Sequence, residues 1–164
     1  MHVDQILNER RIRFVLVDGI YLLGKARIRE PTAEERRHLQ NEGFRCNHVP
    51  EFKRAIFEAK EYRCASYTHD GERGLSDNIN DFTWDDEFGS ICSIILIEDG
   101  ERRAVRLLAE VFHTPNTMNI ANYICNVYPG QDVFIFIPFP RVRSHAIKID
   151  TPRSNYIMPV GRAS

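Results

Sequence analysis

Two Asp-Gly pairs constrain this chain more than any other feature. Asp18-Gly19 lies between the apolar runs at 14–17 and 20–23, and Asp99-Gly100 follows the run at 91–97. An Asp-Gly pair between apolar runs favours a two-residue type I′ turn, in which both central residues take positive φ. Residues 11–28 and 90–112 are therefore each predicted to form an antiparallel hairpin. In the second, Val105, Leu107, Ala109 and Val111 share one face of the return strand.

Other segments read as helix, loop or strand. Pro31 precedes Thr32-Ala33-Glu34-Glu35, which has the form of a capping box. It predicts a helix to about Gln40 that stops near Gly43. Phe52, Ala55, Ile56 and Ala59 fall at helical spacing after Pro50, and predict a second helix over residues 50–64. Residues 65–89 read as a long loop, and residues 114–128 as a third helix. Residues 132–139 and 142–149 read as strands. The order ββ-α-α-loop-ββ-α-ββ predicts an α+β fold: one two-layer domain over residues 1–150, with a mainly antiparallel sheet. A polar C-terminal tail, 151–164, follows it. A chain of 164 residues can bury most of its apolar surface without disulfides, metal or repeats.

The N-terminus mixes acid and base too early for the apolar core of a signal peptide. The longest uncharged stretch, 111–131, contains Asn116, Asn119, Asn122 and Asn126, so it does not read as a bilayer span. Cys46, Cys64, Cys92 and Cys125 form no C-x-x-C pair and read as free thiols of a cytoplasmic protein.

Net charge is -1, but it is unevenly distributed. Residues 70–101 hold ten acids and one base, whereas both flanking stretches are mildly basic. Phe82 and Trp84 sit among these acids, as aromatic anchors sit within a polar interface rim. The pattern predicts a non-enzymatic binding protein of inhibitor, immunity or regulatory type. It would engage a protein partner with a basic surface through Asp77, Asp81, Phe82, Trp84, Asp85, Asp86 and Glu87. The alternative within the fold is that the aromatic residues of this loop simply join the core.

Motifs for chemistry are sparse. From Asp77, the third and sixth positions are Ile79 and Phe82, which breaks an EF-hand pattern. No phosphate-binding glycine motif or nucleophile elbow occurs. Cys46, His48, Cys64 and His69 form a weakly spaced zinc candidate, and no cofactor is expected. A small hydrolase-like enzyme would use His113 or His145 as general base with a carboxylate. Arg13, Lys25, Arg27 and Arg29 lie on the first hairpin, where a nucleic-acid-binding face is a less favoured reading because few aromatics accompany them. The four asparagines at 116–126 lie on one side of the predicted third helix, a charge-free face suited to self-association.

Overall fold

The computed structural model describes residues 2–66, 80–85, 87–113, 125–127, 133–152 and 155–160. The first hairpin forms as predicted. β1 (Phe14–Val17) pairs with β2 (Ile20–Leu23), and Asp18 and Gly19 between them have φ of +50° and +80°. The second hairpin also forms, but its turn is shifted by one residue. In β8 (Glu87–Asp99) and β9 (Arg102–Val111), Asp99 is opposite Arg102, so the central residues are Gly100 and Glu101. Gly100 has a φ of +64° and Glu101 does not share the positive sign, as a type II′ turn requires. Asp99 is thereby free to accept the Arg45 N–H at 2.8 Å.

The capping-box helix is α2 (Ala33–Asn41), with both reciprocal bonds between Thr32 and Glu35 present. A shorter helix, α1 (Val3–Glu9), precedes the first hairpin. The predicted helix over 50–64 is instead three strands: β4 (Val49–Phe52), β5 (Arg54–Phe57) and β6 (Lys60–Arg63). The β5–β6 turn is Glu58-Ala59, with φ of +50° and +64°. It has the shape of an Asn-Gly turn without either residue, so the usual sequence signal is missing. Four-residue strands alternate only twice, too few repeats to compete with an apparent 3.6-residue period.

β1, β2, β5 and β6 form a four-stranded antiparallel sheet. The larger sheet runs β10 (Cys125–Val127), β13 (Asn155–Pro159), β12 (Val142–Asp150), β7 (Asp81–Trp84), β8, β4 and β3 (Arg27–Arg29). β9 pairs along β8, and β11 (Phe134–Ile137) pairs with β9. Asn155–Pro159, within the segment of polar composition after residue 150, is thus a paired strand with Ile157 fully buried. The third predicted helix is not continuous, because Cys125–Val127 is strand.

Both faces of the large sheet are covered. On one, Ile91, Ile94, Leu96, Val105 and Leu107 pack with Leu22, Ala55 and Tyr62 of the small sheet. On the other, Ile95, Ile97 and Leu108 pack with Leu39 of α2 and Phe44 just after it. A bulge between Ile91 and Ser93 shifts the alternation, so that Ile91 and Ile94 both reach the first cluster. Among the described residues the architecture is therefore antiparallel sheet with two helices, an α+β arrangement in three layers: small sheet, large sheet and α2. The predicted two-layer order underestimates it because the 50–64 strands were not legible.

α2 is held by buried charge. Arg29 on β3 meets Glu35 through two contacts, at 2.6 and 2.8 Å, and meets Glu51 Oε2 on β4 at 2.9 Å. Ser93 Oγ donates to Glu35 Oε2 at 2.7 Å, and the Thr32 N–H donates to Oε1 at 2.8 Å. Glu35 is completely buried. Burial alone would raise its pKa, but the hydrogen bonds from Arg29, Thr32 and Ser93 outweigh that and hold it below the ordinary value.

This packing sets three expectations for stability. A carboxylate with a depressed folded pKa stabilises the fold above its unfolded pKa, and that contribution is lost as pH falls. The unfolding free energy in urea should decline once pH drops below the ordinary glutamate value near 4.5. Glu35→Ala should lower it at pH 7 by about 1–3 kcal/mol, because Arg29 keeps only Glu51 and the buried Ser93 hydroxyl loses its acceptor. Gly89→Ala should cost about 1–3 kcal/mol by overpacking. Its Cβ would lie 2.7 Å from the Glu110 carbonyl oxygen and 2.8 Å from Trp84 Cζ3. A Gly89→Ala midpoint equal to wild type would show that this contact relaxes freely.

Candidate interaction site

The residues predicted to contact a partner separate into distinct environments. Asp77 and Asp86 lie outside the described residues. Asp81, Phe82 and Trp84 are buried in β7, an inner strand between β12 and β8. Phe82 and Trp84 stack at 4.9 Å between centroids and belong to the main core. The aromatic anchors of the sequence reading are therefore core residues, because β7 has neighbours along both edges and cover on its face. Asp85 and Glu87 are exposed on either side of the β7–β8 turn. Asp85 has a φ of +46° and forms an ion pair with Arg141.

β8 divides the acidic stretch into two. Glu87 and Glu98 stand at opposite ends of one extended strand, roughly 35 Å apart at about 3.3 Å per residue. At the far end Glu98 meets Arg103 at 3.7 Å, and Asp99 is held by the Arg45 N–H. The described acids of this stretch, though close in sequence, do not make one surface.

At the near end is an open cleft of about 540 Å³. Trp84, Val111, Val133 and Ile135 supply its apolar lining, and Asp85, Glu87 and Arg141 its charge. Val133 is 49% exposed, which is unusual for a large aliphatic residue here. Val111 and Ile135 come from the adjacent strands β9 and β11, and the Val111 N–H donates to the Val133 carbonyl at 2.9 Å. Sequence reading missed Val133, Val111 and Ile135 because they lie 24 or more residues from Asp85 and Glu87. The one available signal was Val133 as the first apolar residue after Gln131-Asp132.

The catalytic candidates are placed as follows. His145 Nε2 is 2.6 Å from the Glu61 carbonyl, and its ring lies 4.4 Å from that of Tyr62. Burial lowers its pKa, so the ring is neutral at pH 7 with Nε2 donating to that carbonyl. Glu61 itself is held between Arg54 and Arg63, at 3.0 and 2.5 Å. His113 is exposed just after β9. Each histidine stands on a different part of the large sheet, and the bond to Glu61 gives His145 a structural task.

The zinc set is not assembled. Cys64 is in the core cluster beneath the small sheet, whereas Cys46 packs against the cluster beneath α2. The large sheet separates the two. His69 lies outside the described residues, and His48 is exposed. No group of three or more metal-ligating side chains is present among the described residues. Of the asparagines read as a self-association face, Asn126 is in strand β10, paired opposite Tyr156, and Asn116, Asn119 and Asn122 lie outside the described residues. None of the described helices is long and apolar enough to cross a membrane.

No family model, curated protein or solved structure matches this chain.

Burial pushes the Cys64 thiol up to about 12, and its Sγ faces the Phe52 carbonyl at 3.5 Å. The thiolate is the reactive form, so Cys64 should resist iodoacetamide at pH 8 in the folded protein and react fully in urea. Peptide mapping checks this; rapid labelling of native Cys64 would place it at a surface.

Proposed function

We propose that this chain is a cytoplasmic, non-enzymatic binding protein that engages a basic macromolecular partner at the β7–β8 turn and the cleft beside it. The observation that carries the reading is the cleft's composition. Aliphatic side chains form its floor, and Asp85, Glu87 and Arg141 stand around them. An apolar centre within a charged rim is the usual anatomy of a protein interface. The acid-rich sequence 70–87 leads directly into this turn and would steer a basic partner towards it. The free Cys46, Cys64 and Cys92 agree with a reducing compartment.

In this reading Trp84 acts from beneath. It fills the core under the turn and fixes the backbone that presents Asp85 and Glu87, while Val133 provides the exposed apolar contact. The partner is a protein with a lysine- or arginine-rich face.

The test compares three baits in the same lysate: wild type, Asp85→Asn/Asp86→Asn/Glu87→Gln, and Val133→Asp. A protein held stoichiometrically by wild type, released between about 50 and 300 mM salt and lost from both variants is the expected result. Circular dichroism and melting curves verify that the variants are folded. Identical captures by all three folded baits would remove this cleft from the function.

A further inference from the structure

Five unpaired cations meet at one corner of the fold. Arg10 and Arg11 follow α1, Arg13 leads into β1, Lys25 follows β2 and Arg27 opens β3. The Gly24 N–H bonds the Arg13 carbonyl at 2.8 Å, which draws these two connections together. All five residues are exposed. No carboxylate among the described residues forms an ion pair with any of them. Glu9, the nearest acid in sequence, accepts the Gln5 amide at 3.2 Å. Arg29, two residues beyond Arg27, turns inward to Glu35 and Glu51.

Arg11 adds an independent observation. Both helices end in the same hydrogen-bonded motif. After α2, Phe44 N–H reaches the Leu39 carbonyl at 2.9 Å and Gly43 N–H reaches Gln40 at 3.1 Å, with Gly43 at φ +77°. After α1, Ile12 N–H reaches Leu7 at 2.8 Å and Arg11 N–H reaches Asn8 at 3.1 Å, with Arg11 at φ +57°. This left-handed position suits glycine, which has no Cβ to crowd the carbonyl. The chain uses glycine for one helix and a strained arginine for the other. The other described non-glycine residues with positive φ, Asp18, Glu58, Ala59 and Asp85, all lie in turns between strands, so Arg11 is the one at a helix end.

We propose that this corner binds the phosphate backbone of nucleic acid. Four of the five cations are arginines, whose planar fork matches phosphate oxygens in pairs. They come from two chain connections that the bond between Gly24 and Arg13 holds together, which concentrates their charge. Ile28, 63% exposed on β3, and Leu16, 45% exposed on β1, are the large aliphatic side chains exposed on the same strands. Two separate aliphatic residues give little of the apolar anchorage that a membrane surface requires. Phosphate contacts carry no base information, so the binding is independent of sequence. This surface is separate from the acidic cleft.

Fluorescence anisotropy with a labelled 20-nucleotide single strand of mixed sequence tests the assignment. Five phosphate contacts give a slope of log K against log salt of about −3.5. Arg11→Gly is the decisive variant. It should raise the melting temperature by a few degrees, by relieving the positive-φ strain, while weakening binding and making the slope shallower by about 0.7. Arg10→Gln/Arg13→Gln/Lys25→Gln should make it shallower by about 2. Asp85→Asn/Glu87→Gln should leave binding to this probe at least as tight as wild type, which keeps the result distinct from a failure of the cleft reading. No binding at 50 mM salt, or unchanged affinity and slope in the folded arginine variants, overturns the proposal. So does binding to phosphatidylserine vesicles through the same residues without binding to the oligonucleotide.

Discussion

The buried Glu35 carboxylate connects more of this structure than any other group. It caps its own helix through the Thr32 N–H, holds Arg29 of the edge strand β3 and accepts the Ser93 hydroxyl from the central strand β8. Arg29 extends the network to Glu51 on β4. One side chain thus fixes α2, two outer strands and the middle of the large sheet in mutual register. Each element alone would leave a charge in an apolar interior, and the network is stable only when all are in place. That interdependence couples local helix capping to the assembly of the sheet.

The legible parts of the fold were those in which a few adjacent residues determine the backbone. Asp18-Gly19 and Thr32–Glu35 act within four residues, and both appear as read. The 50–64 segment failed for the opposite reason. Its Glu58-Ala59 turn has a left-handed backbone without turn residues, and its strands are stabilised by partners far away in sequence: Ala55 opposite Leu22 and Glu51 opposite Ile95. Nothing within the segment records those neighbours. The candidate site behaved similarly. Asp85 and Glu87 are exposed as expected, but burial of Phe82 and Trp84 depends on the small sheet. The cleft depends on β9 and β11 lying side by side.

Charge in this protein is organised by strand direction. A sequence count makes residues 70–101 a single acidic block. The extended geometry of β8 carries Glu98 and Asp99 to the opposite end from Glu87, where Arg103 and the Arg45 backbone engage them. The basic excess before residue 70 is uneven too: Arg29, Arg54 and Arg63 hold buried or half-buried acids, whereas Arg10, Arg11, Arg13, Lys25 and Arg27 at the α1–β1 and β2–β3 connections hold none among the described residues. A molecule with almost no net charge therefore has a strongly polar surface, and its encounters depend on orientation and salt.

The long β8–β9 hairpin also bears on how the chain reaches its folded state. Its ten residue pairs are closed by a two-residue turn, so little loop entropy opposes their formation. β7 joins β8 through an equally short turn, whereas β4 reaches β8 across residues 53–86, and β11 reaches β9 across residues 112–133. With β7 the hairpin makes the most local piece of the large sheet, and it presents apolar rows on both faces. It is the natural template on which the remaining strands register, an order that φ-values along β8 and β9 would read as early formation.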